Sequence, residues 1–324
     1  MKLYTPADGA VVSLMTDQQK YFRAHTDKLI PDPDVDWRNL VRSAAPDCSM
    51  PLGVRFSWEN TGERYVLTVS ESPDMSDALR FETTASEYLW ENGRIGAVYY
   101  WQVNGSPVQT FITESLPPRF LHIDGTTNVR DMGGWRTAEG RVIRQGLLYR
   151  GSELDIHVTV TEEGTRTLRD TLGVRTDLDL RGEVVGKRFD SPLGPAVRFC
   201  LLPIKAYGEL IQDPANIREI FALLADEANY PLYFHCWGGA DRTGTLAYLL
   251  CGLLGVPQQD LILDYELTSL SIWGNRSRSS DDFTGLLREL DAWGDTPKTQ
   301  AENFLRSVGV TREEIEKIRR IFLG

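Results

Sequence analysis

Residues 235–244 read His-Cys-Trp-Gly-Gly-Ala-Asp-Arg-Thr-Gly, between the apolar run Pro231-Leu232-Tyr233-Phe234 and the apolar stretch Leu246-Ala247-Tyr248-Leu249-Leu250-Cys251-Gly252-Leu253-Leu254. An apolar run too short for a helix, a glycine-rich turn and a helix-length apolar segment in direct succession confine this region to a strand, a tight loop and a helix within an α/β layer. The loop then lies beyond the carboxyl end of its strand, where open α/β sheets bind ligands. Several N–H groups of such a turn converge on one anion at the positive end of the helix dipole.

The residue types in the loop suit that anion. Cys236 sits where its thiolate is favoured, and the thiolate is the attacking form of cysteine. Arg242 supplies a planar fork for two oxygens of a phosphoryl group, which a lysine point charge does less well. Gly238 and Gly239 admit close backbone approach, and Thr243 has a hydroxyl within local reach of the sulfur or the helix start. Trp237, Ala240 and Gly244 complete the stretch in contact with substrate, Trp237 as a ring to stack on an aromatic ester or to pack on the sheet. His235 is expected to orient the cysteine by hydrogen bonding. A bare Cys-x5-Arg says little; here the glycines, the Arg-Thr-Gly exit and the strand-to-helix context agree.

The rest of the chain sets bounds. The net charge of −11 argues against nucleic acid or an anionic membrane as the main partner, because both need a positive field. Cysteines at 48, 200, 236 and 251 have no metal spacing and suggest no disulfide framework. No apolar run approaches transmembrane length, and Met1 to Asp8 lacks an export signal. Neither metal nor cofactor is expected, since Arg242 and the loop dipoles supply the positive charge.

A boundary is expected near Leu116-Pro117-Pro118-Arg119, dividing the chain into residues 1–117 and 118–324. Upstream, the segments at 53–58, 65–70, 99–103 and 109–112 alternate apolar and polar residues between turn signals, which predicts an all-β sandwich. Residues 3–6 and 18–22 are expected to add a strand or arm and a short helix. Downstream, predicted helices at 162–172, 214–227, 259–268, 297–307 and from Thr311 alternate with strands at 178–180, 197–202 and 232–234. That order predicts an α/β domain with a mainly parallel sheet. The polar stretch 274–282, with Arg276 and Arg278, reads as a lid or a solvated loop.

The loop, together with Asn128-Val129-Arg130-Asp131-Met132-Gly133-Gly134, Leu148-Tyr149-Arg150-Gly151-Ser152, Asp179-Leu180-Arg181 and Asp264-Tyr265-Glu266-Leu267-Thr268 in that order, resembles the cysteine-dependent protein tyrosine and dual-specificity phosphatases. It is most similar to their bacterial tyrosine/phosphoinositide branch. The likeness spans about residues 120–324, while the region from Tyr65 to Ala78 with the Tyr99-Tyr100-Trp101-Gln102-Val103 strand resembles fibronectin type III modules. The phosphatase resemblance implies a phosphomonoester hydrolase with a cysteinyl-phosphate intermediate and a phosphorylated protein or small phosphomonoester as substrate. It departs at Ala240, where the branch has a lysine associated with acidic lipid head groups, so phosphotyrosine is favoured over a dual-specificity or phosphoinositide alternative.

A leaving oxygen needs a proton, and an aspartic acid usually gives it. Asp241, in the loop beside Arg242 and at a position where the branch has an aspartate, ranks first in that role; Asp179, at a strand end followed by Arg181, ranks second and is alternatively a structural partner of arginine or backbone. The module resemblance indicates fold more than role, and leaves a protein partner as one use of the β-sandwich. Many relatives of the branch are exported, so export is expected if a leader once preceded Met1; the sequence itself assigns no compartment. A non-catalytic phosphate-binding protein would be expected to have lost Cys236 or Arg242, and both are present. A sulfurtransferase is disfavoured by the Arg-Thr-Gly exit.

Overall fold

The computed structural model describes residues 1–29, 47–62, 64–182 and 190–324, which cluster as one unit of residues 1–16 and 51–121 and another of 17–50 and 122–324. Residues 30–46 of the expected N-terminal region lie outside the described residues.

In the first unit, β1 (Leu3–Thr5), β3 (Val54–Trp58) and β6 (Glu87–Trp90) form an antiparallel sheet in the order β1-β3-β6. A second sheet takes β2 (Ala10–Val12), β4 (Tyr65–Ser70), β5 (Leu79–Thr83), β7 (Val98–Val103) and β8 (Gln109–Thr113) in the order β2-β8-β7-β4-β5, antiparallel except for β2 with β8. The period-2 alternation sends Val54, Phe56 and Trp58, Tyr65, Leu67 and Val69, and Tyr99, Trp101 and Val103 into one shared core. Each such buried side chain contributes about 1.5–3 kcal/mol. Phe56 meets Trp101 edge-on at 4.9 Å, a favoured aromatic geometry. The short β9 (Arg119–Phe120) ends this part of the chain.

The second unit is built on a sheet containing β10 (Arg130–Asp131), β11 (Leu148–Gly151), β12 (Thr176–Asp179), β13 (Arg198–Leu201) and β14 (Leu232–His235), in the order β13-β12-β14-β11-β10. The pairs among β11 to β14 are parallel and β10 runs antiparallel to β11. Every residue of β11, β12 and β14 is buried, as expected for a sheet covered on both faces. Its α-helices among the described residues are α1 (Asp17–Leu29), α2 (Glu162–Arg166, continued by a π turn to Thr171), α3 (Pro214–Leu224), α4 (Asp241–Leu253), α5 (Gln258–Glu266), α6 (Asp281–Asp291), α7 (Pro297–Ser307) and α8 (Arg312–Leu323).

Local chemistry explains the helix limits. Thr296 and Thr311 each close a capping box, with Pro297 in the first turn of α7. Ser280 caps α6 by accepting from the Phe283 N–H at 3.3 Å. Helix α4 is buried from Thr243 to Leu253 and is apolar all round, so it forms the centre of the unit. The α/β architecture with a mainly parallel sheet is as the sequence predicts.

Candidate active site

The register Gly151↔His235↔Asp179 aligns the carboxyl ends of β11, β14 and β12, and the chain leaves β14 at Cys236. Cys236 is 3% exposed. The loop turns over five residues into α4, whose N-terminus at Ala240 has no side-chain cap. Two glycines make the turn sterically feasible. Gly239 has φ +64°, and a Cβ there would lie 2.2 Å from Gly151 O. A Cβ on Gly238 would lie 2.8 Å from the Trp273 ring.

Buried ionic groups hold the loop from behind. Asn128, itself at φ +61°, donates from Nδ2 to the Gly238 and Gly239 carbonyls at 2.9 and 3.2 Å. Arg150 donates to Gly239 O at 2.7 Å and to Asp264 Oδ2 at 2.6 Å. Arg130 donates to Asp264 Oδ1 at 2.8 Å and to Asn128 Oδ1 at 2.6 Å. Burial alone would raise the Asp264 carboxyl, but the two guanidiniums outweigh it and hold it below the usual range. Burial and Arg130 together lower Arg150 to about 10, which leaves it charged at neutral pH.

One wall is a second ionic cluster. Asp179 accepts from Arg181 N–H at 2.8 Å, from Nε at 2.9 and 3.0 Å, and from Nη2 at 2.7 Å. Arg181 also pairs with Glu153 and, at 2.8 Å, with Asp155. Its guanidinium lies 4.8 Å from the Trp237 ring centroid, and the His157 ring meets Trp237 at the same distance edge-on. His235 binds Asp177 Oδ1 through Nε2 at 3.0 Å and faces the Cys236 carbonyl, not its sulfur, through Nδ1 at 3.2 Å. Burial opposes its protonation, yet the Asp177 charge and hydrogen bond, with Asp179 beyond, lift it to about 9. An imidazolium thus stands behind the cysteine at neutral pH.

In front, a cleft of about 470 Å³ is lined by Cys236, Trp237, Asp241, Arg242, Tyr207 and Arg276 among others. Arg242 Nη1 and Thr243 Oγ1 are buried polar atoms with no protein partner among the described residues. Asp241 accepts from Arg276 Nε at 2.8 Å and Nη2 at 3.2 Å, and from the Tyr207 hydroxyl. Burial would raise its carboxyl, but Arg276 foremost, then Tyr207 and Arg242, hold it below the usual range.

The structure therefore gathers Cys236, Trp237, Asp241 and Arg242 at one cleft, with Gly238, Gly239 and Ala240 forming the turn beneath and Thr243 and Gly244 in the first turn of α4. His235 and Arg181 lie behind and beside it. Asp179 does not line the cleft, and its carboxylate accepts from Arg181, the arrangement of the structural-partner alternative. Tyr207 also lines the cleft, on a left-handed backbone with φ 55°. Arg150 and Asp264 also hold the loop, signalled in the sequence only by their place in recurring motifs. No group of three or more His, Cys, Asp or Glu among the described residues is arranged to hold a metal. No helix among them is long and apolar enough to cross a membrane.

The tyrosine phosphatase family is matched over residues 121–324, more than half of the chain. The chain belongs to that family. It is 31% identical over 172 residues to the "Putative tyrosine-protein phosphatase H16_A0669" of Cupriavidus necator, covering 45% of this chain and 61% of that protein. It is 26% identical over 127 residues to a tyrosine-protein phosphatase of Nostoc commune, covering 32% of this chain and 43% of that protein. The chain thus spans about three fifths or less of the length of these relatives. Among solved structures, the core catalytic domain of the PP-IP phosphatase SIW14 from S. cerevisiae aligns with 39% of this chain and 75% of its own, at 15% identity and a TM-score of 0.30.

Proposed function

We propose that the second unit hydrolyses phosphomonoesters, phosphotyrosine foremost, through a cysteinyl-phosphate. The observation that carries this reading is the unpaired, buried Arg242 Nη1 in the cleft that Cys236 lines, above a turn whose glycines and uncapped helix start leave backbone N–H groups for an anion. In this reading Cys236 attacks phosphorus in line, and Arg242 and the loop amides hold the equatorial oxygens. Thr243 offers its hydroxyl to the sulfur. Asp241 protonates the leaving oxygen and then takes a proton from water.

His235, behind the loop, serves as an orienting group through its contact with the Cys236 carbonyl. Trp237 forms a wall for an aryl group. Ala240 leaves the loop without a second cation, which supports an aryl phosphate over a polyanionic lipid head group. We read the chain as a member of the family's bacterial branch, divided near residues 117 and 118. The two sheets around one core in the first unit support a fibronectin type III-like sandwich, and a protein partner is its proposed contact.

The test is hydrolysis of phenyl phosphate, with EDTA present, by wild type, Cys236→Ser and Asp241→Asn. Loss of turnover in Cys236→Ser and a reduction of about 10²-fold or more in Asp241→Asn are expected. A folded wild type without turnover would turn the reading toward a phosphate-binding protein.

A further inference from the structure

Cradling a phosphate makes no use of Arg276, yet this side chain is fixed at the cleft with care. Its Nε and Nη2 clasp Asp241 at 2.8 and 3.2 Å, while Nη1 reaches the carbonyls of Trp273 and Asn275 at 3.2 and 3.0 Å. Its backbone N–H is tied to Ser269 Oγ at 2.8 Å, and Arg278, two residues on, donates to the buried Glu266 at 2.8 and 2.6 Å. The arginine is therefore delivered to Asp241 by an anchored segment. Tyr207, pinned through its own N–H to Thr245 Oγ1 at 2.9 Å, donates to the same carboxylate oxygen as Arg276 Nε.

The other groups around Asp241 are Arg242 on its own helix, Tyr265 on α5, which lies 3.1 Å from the Tyr207 hydroxyl, and Asp282 on α6, which lines the cleft. Two of the direct neighbours are cations and the third is a neutral donor. All three favour the carboxylate over the carboxylic acid.

We propose that Arg276 is a positioning residue that sets leaving-group specificity: by clasping Asp241 as a carboxylate it favours the base half of the reaction over the acid half and confines turnover to aryl phosphates. The inference rests on the Asp241 role proposed above. In the first step a bond forms from Cys236 Sγ to phosphorus as the bond to the leaving oxygen breaks. The oxygen keeps the electron pair and departs either with the Asp241 proton or as a bare anion. In the second step a water oxygen bonds to phosphorus, the S–P pair returns to sulfur as thiolate, and a proton of that water passes to the Asp241 carboxylate. A clasp on the carboxylate aids the second step and restrains the first. Phenols such as tyrosine have a pKa of about 10, so a phenolate can leave with little help, whereas an alkoxide is a much stronger base and needs the proton.

The experiment measures kcat/KM at pH 6 for aryl phosphates of graded leaving-group pKa and for one alkyl phosphate, with wild type, Arg276→Gln, Arg276→Lys, Asp241→Asn and the Asp241→Asn, Arg276→Gln double variant. Wild type is expected to show a steep fall with leaving-group pKa. In Arg276→Gln the slope becomes shallower, the aryl-to-alkyl preference drops roughly tenfold for each unit by which Asp241 rises, and the alkaline limb of the pH profile moves up. Arg276→Lys, which keeps the charge but loses the fork, falls between them. An unchanged slope in Arg276→Gln overturns the proposal, and so does a shallow slope in the wild type, an arm that decides even if the variants fail to fold. Asp241→Asn separates the two readings. If it changes no slope in either background, the Asp241 role itself fails; if it steepens the wild-type slope while Arg276→Gln has no effect, only the clasp fails.

Discussion

Two ionic assemblies flank one loop. Behind it Asp264, with a side chain 10% exposed, joins Arg130 and Arg150, both at 0%; in front of it Asp241, at 40%, joins Arg276, at 21%. The rear assembly is shut away from water and bonded at nearly every donor, so its charges have no alternative partner. The front one meets solvent, where a single pair is worth about 0–1 kcal/mol. The difference separates two settings: the rear group holds the shape of the turn, and the front group is the one to which the proposed reading gives control of the protonation state facing the substrate. Stability is not the reason for burying the rear charges, because such pairs rarely outperform apolar packing; what they contribute is a geometry that is costly to leave.

That contrast is broken most directly at Asp264. Asp264→Ala strands two buried guanidiniums and is expected to cost about 3–5 kcal/mol, read from urea unfolding, with phosphatase turnover lost in the protein that stays folded. Asp241→Ala, the matching change in front, is expected to move stability by less than about 1 kcal/mol. Equal losses at the two positions would end the distinction drawn between them.

Next in size is Gly239→Ala. The added methyl would enter the space of Gly151 O, 2.2 Å away, at a backbone angle that disfavours L residues. The loop must shift, and kcat/KM is expected to fall about 10²–10³-fold, the scale of losing one oxyanion donor. A drop confined to stability, with full activity per folded molecule, would mean that the turn tolerates another shape.

The His235–Asp177 pair extends the rear assembly under the cysteine and gives it a pH signature. Its folded value of about 9 lies above the ordinary 6.5, so the stabilisation is fully present below about pH 6.5 and is lost as pH rises through 9. A lift of that size corresponds to about 3 kcal/mol. Unfolding free energy measured from pH 6 to 10 is expected to decline across that window in wild type and to lose this decline in His235→Gln. An identical pH dependence in both proteins would remove the buried imidazolium.

Much of this was legible in the residues. The Cys-x5-Arg stretch between an apolar run and a long apolar helix located the loop, and period-2 alternation located β3, β4, β7 and β8. β5 and β6 escape that pattern because most of their side chains face solvent, with Leu79 at 46% and Leu89 at 50% exposure. Helix α6 does have the apolar spacing Phe283, Leu286, Leu290, which the turn-rich stretch before it and Gly285 within it obscure. Asp179 was ambiguous because a carboxylate beside an arginine reads the same as a donor or a brace until its hydrogen bonds are seen. Tyr207 could not be found at all, since its role follows from a positive φ that no tyrosine advertises.

The smallest effect is expected at the third wall, where Trp237 stands between Arg181 and His157. Arg181 is already held by Asp179, Glu153 and Asp155, so removing the ring leaves no charge stranded. Trp237→Leu should therefore cost only the cation–π contact and some packing, about 0.5–2 kcal/mol. If the ring serves as a wall for an aryl group, KM for phenyl phosphate rises a few-fold while kcat holds, the pattern of lost uniform binding. A fall in kcat at constant KM would instead place Trp237 with the rear assembly, because the Glu153 N–H donates to the Trp237 carbonyl at 2.9 Å and a ring that shaped the loop would act through that bond.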